Sequence, residues 1–257
     1  RLNGTIEYFW RKTSDMLFKF SLPTSYGYTS YYANVGDMKN SGIEITLDGT
    51  IIKTKDVKWN LGLNLTHYKN HISMLPDERK TTTTPEGYKG YANGNFFLGE
   101  GLSMYSFYMP EYAGVYNKNT WQMTNDTKYD ASKDGLSMWY TTGYKMTTKP
   151  DGTREVVKDT NGEKVESGKR ATTTTHADAK DYIVGRMLPK VYGGFNTRLE
   201  FFGVDFTADF AYQLGGKVYD SQYASFMSPA TSDSRGANIH EDVLKSWSVS
   251  NQGSNLP

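Results

Sequence analysis

Ser41-Gly-Ile-Glu-Ile-Thr-Leu-Asp-Gly-Thr-Ile51 decides the fold. Successive side chains of an extended chain point to opposite faces, so Ile43, Ile45, Leu47 and Ile51 share one side while Glu44, Thr46, Asp48 and Thr50 share the other. The pattern predicts a strand with one apolar and one wet face. After the short polar stretch Lys53-Thr-Lys-Asp56, Val57, Trp59, Leu61, Leu63 and Leu65 alternate with Lys58, Asn60, Gly62, Asn64 and Thr66. Two such runs so closely joined predict an antiparallel hairpin. A second hairpin follows the same rule. Val191, Phe195, Leu199 and Phe201 oppose Tyr192, Asn196, Arg198 and Glu200; after a turn at Gly203, Val204, Phe206, Ala208, Phe210, Tyr212 and Leu214 oppose Asp205, Thr207, Asp209 and Gln213.

Weaker runs at Gly4 to Phe20, Leu102 to Tyr112 and Leu136 to Met146 bring the expected count to about seven strands. No segment longer than a turn carries a helical period, and Gly, Thr, Asn, Tyr and β-branched residues fill the periodic runs. Beside the tight turns lie four long connections, Ser21 to Asn40, His71 to Glu100, Thr147 to Leu188 and Gly215 to Pro257, beyond the ~12–15 residues that compact soluble domains use. Short turns at one end and long loops at the other form the plan of an outer-membrane barrel. The link from Tyr116 to Gly135 departs from it, since parity puts that link at the short-turn end. The loops hold the four-Thr runs Thr81 to Thr84 and Thr172 to Thr175, and Asn161-Gly162 predicts a small surface hairpin within Val156 to Val165. Mobile loops are expected. With no internal repeat and no linker, residues 1–257 read as part of one barrel domain.

Composition narrows the classes. The chain has 257 residues, 37% of them hydrophobic, and no run near the ~20 apolar residues of a membrane helix. A net charge of +1, with neither sign gathered in one segment, supplies no footprint for nucleic acid. Absence of Cys excludes a disulfide scaffold, a thiolate zinc site and a Cys nucleophile. The 20 Tyr, 12 Phe and 5 Trp are unusually many for so polar a chain. Because the chain opens on Arg1, it reads as a processed piece or a portion of a longer product.

Little in the sequence resembles chemistry, and no catalytic residue, metal ligand or cofactor is assigned. Asp130-Ala-Ser-Lys-Asp134-Gly135 looks like the first half of a calcium loop, but its twelfth position is Thr141 where a bidentate Glu belongs, so it reads as a polar turn. His67 and His71 straddle a strand end, and His176 and His240 sit in loops without companion ligands. Nucleophile and phosphate-loop signatures are absent. Asn3, Asn64 and Asn125 head Asn-x-Thr strings that are common by chance. The chain reads as no enzyme.

In a wide barrel Glu44, Asp48, Arg198, Glu200, Asp205 and Asp209 would line a watery lumen, with Trp10, Trp59, Tyr192, Phe201 and Tyr212 near strand ends as aromatic girdles. Alternation alone also fits a soluble β-sandwich, a carbohydrate-binding or adhesin domain in which the same aromatics close the core. A detergent requirement separates the two.

Asn34-Val-Gly-Asp-Met-Lys-Asn-Ser-Gly-Ile-Glu-Ile-Thr-Leu47 resembles the N-x-G-x-M-x-N-x-G-[VI]-E signature of the SusC/RagA family of TonB-linked outer-membrane transporters. Val184-Gly-Arg-Met-Leu-Pro-Lys-Val-Tyr-Gly-Gly-Phe-Asn196, with Tyr212-Gln-Leu-Gly-Gly-Lys-Val-Tyr219, resembles a second stretch of that family in order and spacing. Weaker echoes run from Gly4 to Leu17 and from Glu100 to Tyr108 into Ala113-Gly-Val115. The resemblance implies an all-β, antiparallel up-and-down transmembrane barrel, seen here in part: about seven strands of 22, with long extracellular loops. The plug domain and the closing C-terminal strands lie outside the chain. It further implies an importer of oligosaccharides or peptides in the bacterial outer membrane, lidded by a SusD-like surface lipoprotein and driven by TonB through the plug. Lipid is then a partner and nucleic acid is not. Under this reading the loop residues Trp121, Tyr223 and Trp247 contact substrate or lid, against the plainer reading that they pack the loops. An unassisted channel is the third possibility, distinguished by steady ion conductance. Substrate identity is not legible.

Overall fold

A computed structural model describes residues 1–21, 30–34, 36–227 and 238–256. Val35 of the signature and the middle parts of the Ser21 to Asn40 and Gly215 to Pro257 connections lie outside them. Numbered along the chain, β1 (Leu2–Thr13), β4 (Asp37–Lys53), β5 (Val57–Met74), β16 (Val191–Phe201) and β17 (Val204–Leu214) form one antiparallel sheet in the order β1-β4-β5-β16-β17. Both strong hairpins are therefore present, in the expected register of faces.

Cross-strand pairing fixes those faces. One row runs Ile6, Ile45, Leu65 and Gly193 to Tyr212; the next runs Gly4, Leu47, Leu63 and Phe195 to Phe210. The alternate rows are polar: Thr5, Thr46, Asn64, Gly194 and Ala211, then Asn3, Asp48, Gly62, Asn196 and Asp209. Among the described residues no second sheet covers the apolar face. Leu63, Phe195 and Phe210 at its middle are 38%, 40% and 51% exposed, which rules out a sandwich core and leaves an apolar surface that lipid, not water, satisfies. Eleven-residue strands such as β16 and β17 match the length that crosses a bilayer at a tilt. Trp59, on this face, donates its indole N–H to Thr197 Oγ1 at 2.9 Å, so no donor is left open to hydrocarbon.

Aromatics mark both ends of the band. Trp10, Tyr8 and Tyr212 stand at one end, Trp59, Phe201 and Phe202 at the other. Tyr192 is a correction: it pairs with Thr66 and Gln213 and so belongs to the polar face, an even position in a strand whose odd positions are apolar. The tight turns close one end of the sheet. Thr54 N donates to Val57 O at 2.7 Å, and Phe202 and Gly203, at φ 47° and 85°, have the left-handed pair of a two-residue hairpin turn.

The wall has five strands, not seven, because β5 pairs directly with β16 from Val57↔Phe201 to His67↔Val191. The chain from Leu75 to Lys190 thus leaves and returns at one end of the sheet, and the parity problem of the Tyr116 to Gly135 link disappears. The runs Leu102 to Tyr112 and Leu136 to Met146 are strands of other sheets. Their alternation comes from burial by the surrounding connections, as the interrupted burial along Ser137–Tyr144 shows.

Contacts divide the chain into two compact units, Arg1–Tyr108 with Ile183–Val218, and Met109–Tyr182 with Tyr219–Pro257. In the first, the wall is joined by the pair β2 (Leu17–Ser21) and β3 (Ser30–Asn34). Short strands β6 (Thr82–Thr83), β7 (Lys89–Asn93), β8 (Phe96–Gly99), β9 (Ser106–Pro110) and β15 (Asp181–Arg186) make a sheet in the order β15-β9-β8-β7-β6. Phe97 is fully buried there, with Ile72, Leu75, Leu102 and Phe107. In the second unit β10 (Tyr112–Val115), β11 (Ser137–Tyr144) and β14 (Glu166–Thr173) pair in that order, and β12 (Met146–Thr148) pairs with β13 (Arg154–Val156). Tyr116 and Met138 are its buried centre, and α1 (Ser221–Phe226) is a short six-residue helix. Asn161-Gly162 does form a turn, with Gly162 N donating to Asp159 O at 3.1 Å. The described parts of the long connections thus carry short strands and turns of their own. Their aromatics are what gives each unit a core.

Candidate functional site

The polar face of the wall carries charged and amide side chains from all five strands. Lys58 binds Glu200 at 3.0 Å, and Arg198 stands 3.5 Å from Glu200 and 3.8 Å from Asp205, a charged ladder near the tight turns. Higher up, the absence of a side chain at Gly62 makes room for Asp48 and Asn196, whose polar atoms lie 2.7–2.8 Å from where a Cβ would stand. Asn64 Oδ1 accepts Gly194 N at 2.8 Å. These groups hold each other and leave the face hydrophilic, as the sequence led one to expect for Glu44, Asp48, Arg198, Glu200, Asp205 and Asp209.

At the loop end of this face the polar register is broken by two aromatics that sequence reading did not single out. Phe9 and Tyr68 stack at 6.4 Å with planes 26° apart, and Phe9 lies over Gly42, where a Cβ would come within 2.6 Å of the ring. Tyr68 donates its hydroxyl to Asn40 Oδ1 at 2.7 Å; Asn70 Nδ2 donates to the same oxygen at 2.7 Å. Glu7, Arg11 and Glu44 complete an open cavity of about 480 Å³ around this pair. Glu7 and Glu44 are direct cross-strand partners. Like charges opposed in a ladder disfavour the pair unless a donor comes between them. An aromatic platform edged by two carboxylates and a guanidinium can stack a sugar ring or an apolar side chain and take hydroxyl or amide donors at its rim. The signal available in sequence was parity: Phe9 and Tyr68 are aromatic at positions where their neighbours two residues away are polar.

The second unit has a polar cavity of about 470 Å³ lined by Thr141, Thr142, Thr172, Thr173, Lys164 and Lys180 among others, so the second four-Thr run faces a cavity. Tyr144 also lines it, with Asn125, whose Oδ1 accepts Tyr144 N at 3.1 Å. Trp121, Tyr223 and Trp247 belong to this unit, each in a separate contact. Arg154 stacks on Trp121 at 4.6 Å and donates to the carbonyls of Gln122, Thr124 and Asp126; burial pulls its pKa below the usual guanidinium value. Trp247 lies against Gly135, where a Cβ would meet its ring at 2.6 Å. Tyr223 meets His240 edge-on at 4.9 Å and donates to Asp242 at 3.1 Å; burial, then Asp242, raises its phenol pKa.

The calcium-like string is a capped turn. Asp130 accepts Ser132 N at 3.0 Å and Ser132 Oγ at 2.7 Å, while Asp134 accepts the Tyr129 hydroxyl, pushing that phenol up to about 12. His67 Nδ1 lies 2.8 Å from Lys190 O, and His176 packs edge-on against Trp139. Among the described residues no three His, Asp or Glu converge as a metal site.

The profile of the family described as TonB dependent receptor-like, beta-barrel matches residues 1–144. TonB-dependent receptor P3 of Formosa agariphila is 28% identical over all of this chain and 22% of its own length. TonB-dependent receptor SusC of Bacteroides thetaiotaomicron is 29% identical over 124 residues, 46% of this chain and 12% of its own. The RagAB peptide importer in the closed-closed state superposes over the whole chain and 24% of its own, with a TM-score of 0.67 at 25% identity. The chain spans about a fifth of the length of the curated relatives it matches over its full extent. A one-sided apolar wall, tight turns at one end and folded connections at the other agree with those matches, and the chain belongs to the TonB-dependent receptor-like β-barrel family of the bacterial outer membrane.

Proposed function

We propose that this chain supplies wall strands and outer loops to an outer-membrane importer of glycans or peptides, a transporter and not an enzyme. The observation that carries the reading is the Phe9–Tyr68 platform, aromatic in a polar register at the loop end of the lumen face. A wall that only separated lipid from water would need no aromatics there. The TonB-dependent receptor SusC and the RagAB peptide importer, both similar to this chain, support a TonB-driven uptake role, and the second supports peptide as one substrate class. In the proposed assembly a SusD-like lipoprotein lids the barrel and TonB acts through a plug domain outside this chain. Tyr223, 37% exposed, is the first candidate for contact with lid or substrate, with Trp121 and Trp247 behind it. Polar hydroxyls of the Thr-lined cavity suit a glycan as readily as a peptide backbone.

The test uses the full-length transporter with its lid, and measures binding of oligosaccharide and peptide panels before and after Phe9→Ala with Tyr68→Ala. Retained assembly with weakened binding of one panel supports the reading and names the substrate class. Unchanged binding and uptake of every solute that wild type takes would overturn it.

A further inference from the structure

The register places a row of cations just beyond the apolar band, on the same outward face. Past Trp10, Ser41 and His67 in their strands come Lys12, Lys39, Lys69 and His71, with Lys12 paired to Lys39, Lys39 to His71 and Ser41 to Lys69. The nearest carboxylate in that row, Asp37, is already held by Lys12 at 2.6 Å. Beside Lys69 the cations gather. Lys69, Arg186, Lys190 and Lys217 line one groove of about 370 Å³ with Asn70 and Ser103, and no carboxylate lines it.

The groove is built for them. Gly185 and Gly215, at φ 148° and 81°, have no Cβ, and a Cβ there would stand 2.6 Å from the Lys217 stem and 2.9 Å from the Lys190 stem. Both lysines thus lie flat on backbone with their ammonium groups carried to the groove. Arg186 has its Nε buried without a partner, and Ser103 has its Oγ likewise. Lys217 Nζ donates to Val184 O, which leaves it two further donors. Four positive groups with unspent donors favour a polyanionic oxygen group.

We propose that this groove binds the phosphorylated headgroup of an outer-leaflet lipid. Its position argues for lipid and against a transported solute. Of the two β5 residues in the groove, Lys69 shares its face with Leu63, Leu65 and His67, while Asn70, of the lumen parity, spends its side-chain amide on Asn40, Met38 and Met104 N. Lys190 and Lys217 flank Val191 and Leu214, the last apolar pair of the hairpin. A headgroup in the groove would therefore have its acyl chains against Leu65, Val191 and Leu214. Cations at the membrane surface attract anionic lipid, and phosphate accepts from Arg and Lys together.

The experiment is native mass spectrometry of the full-length transporter in detergent, titrated with diphosphoryl lipid A, with the same lipid dephosphorylated, and with inorganic phosphate as competitor. Diphosphoryl lipid is expected to bind, and Lys69→Gln, Lys190→Gln and Lys217→Gln together to weaken it at least about tenfold, since each surface cation contributes roughly fivefold. The dephosphorylated lipid should bind the wild-type protein at least tenfold more weakly, an arm that needs no variant. Equal binding of the two lipids would overturn the proposal. Displacement of the lipid by millimolar inorganic phosphate would also overturn it, making the groove a small-anion site.

Discussion

Gly42 shows how little latitude single residues have in the wall. A Cβ there would stand 2.4 Å from His67 O and 2.6 Å from the Phe9 ring, and the backbone oxygen cannot move without breaking the ladder. Gly42→Val should therefore destabilise the folded barrel by ~1–3 kcal/mol, read as a lower temperature for loss of heat-resistant migration in a gel. Phe9→Ala keeps the ladder and removes the platform; substrate affinity should fall about three- to tenfold, the scale of one aromatic contact, with the melting behaviour nearly unchanged. Glu100 gives a pH dependence outside the membrane. It accepts Leu75 N at 2.9 Å and Lys80 Nζ at 3.0 Å, and these bonds, Leu75 first, hold its pKa below the ordinary 4.5. A carboxyl with a depressed folded pKa contributes its stabilisation above 4.5 and loses it as pH falls through the lowered value. The hydrogen-exchange protection of the Leu75 amide should be flat from pH 7 to 5 and fall below that window. In Glu100→Gln it should be lower throughout and lose this pH dependence.

At the scale of strands, the two faces of the wall should answer oppositely to the same substitution. Leu63→Arg places a cation in the middle of the apolar band and should cost ~2–4 kcal/mol, whereas Thr46→Arg, on the polar face one row away, should change stability little. Denaturant titration of the refolded barrel measures both. This division was legible in the sequence because a period of two survives along β4, β5, β16 and β17 with hardly a break. Tyr192 was misread as a girdle residue because its ring lies near a strand end; its parity with Asn196 and Arg198 was the better guide, and pairing with Thr66 and Gln213 confirms the polar face. The runs around Leu102 and Leu136 misled for another reason. Short strands buried by surrounding chain show the same alternation as wall strands, and nothing local tells which sheet they join.

Across the whole molecule, the direct pairing of β5 with β16 makes everything between Met74 and Lys190 an excursion from the wall. Replacing residues 76–187 by a short turn in the full-length protein should leave a barrel that still inserts and resists heat, while uptake and lid retention are lost. Outer-membrane fractionation and co-purification measure the two halves of that outcome. Sequence pattern could not reveal the excursion, because antiparallel neighbours far apart in the chain have no local signature. The family was legible by resemblance, since Asn34 to Leu47 matches the SusC/RagA signature residue by residue. The candidate site was less legible: Trp121 and Trp247 are aromatic like Phe9 and Tyr68, and only the fold shows that Arg154 stacks on the first and Gly135 lies against the second. The central claim is that odd positions of β4 from Ile43 to Leu47 face lipid and even positions face a watery lumen. With no Cys in this chain, single cysteines from Ile43 to Asp48 can be spin-labelled in the full-length transporter in bilayers, and collision with oxygen compared with a water-soluble nickel chelate. Oxygen should dominate at 43, 45 and 47, and the chelate at 44, 46 and 48. Equal access of the chelate to both sets would contradict a membrane-spanning wall.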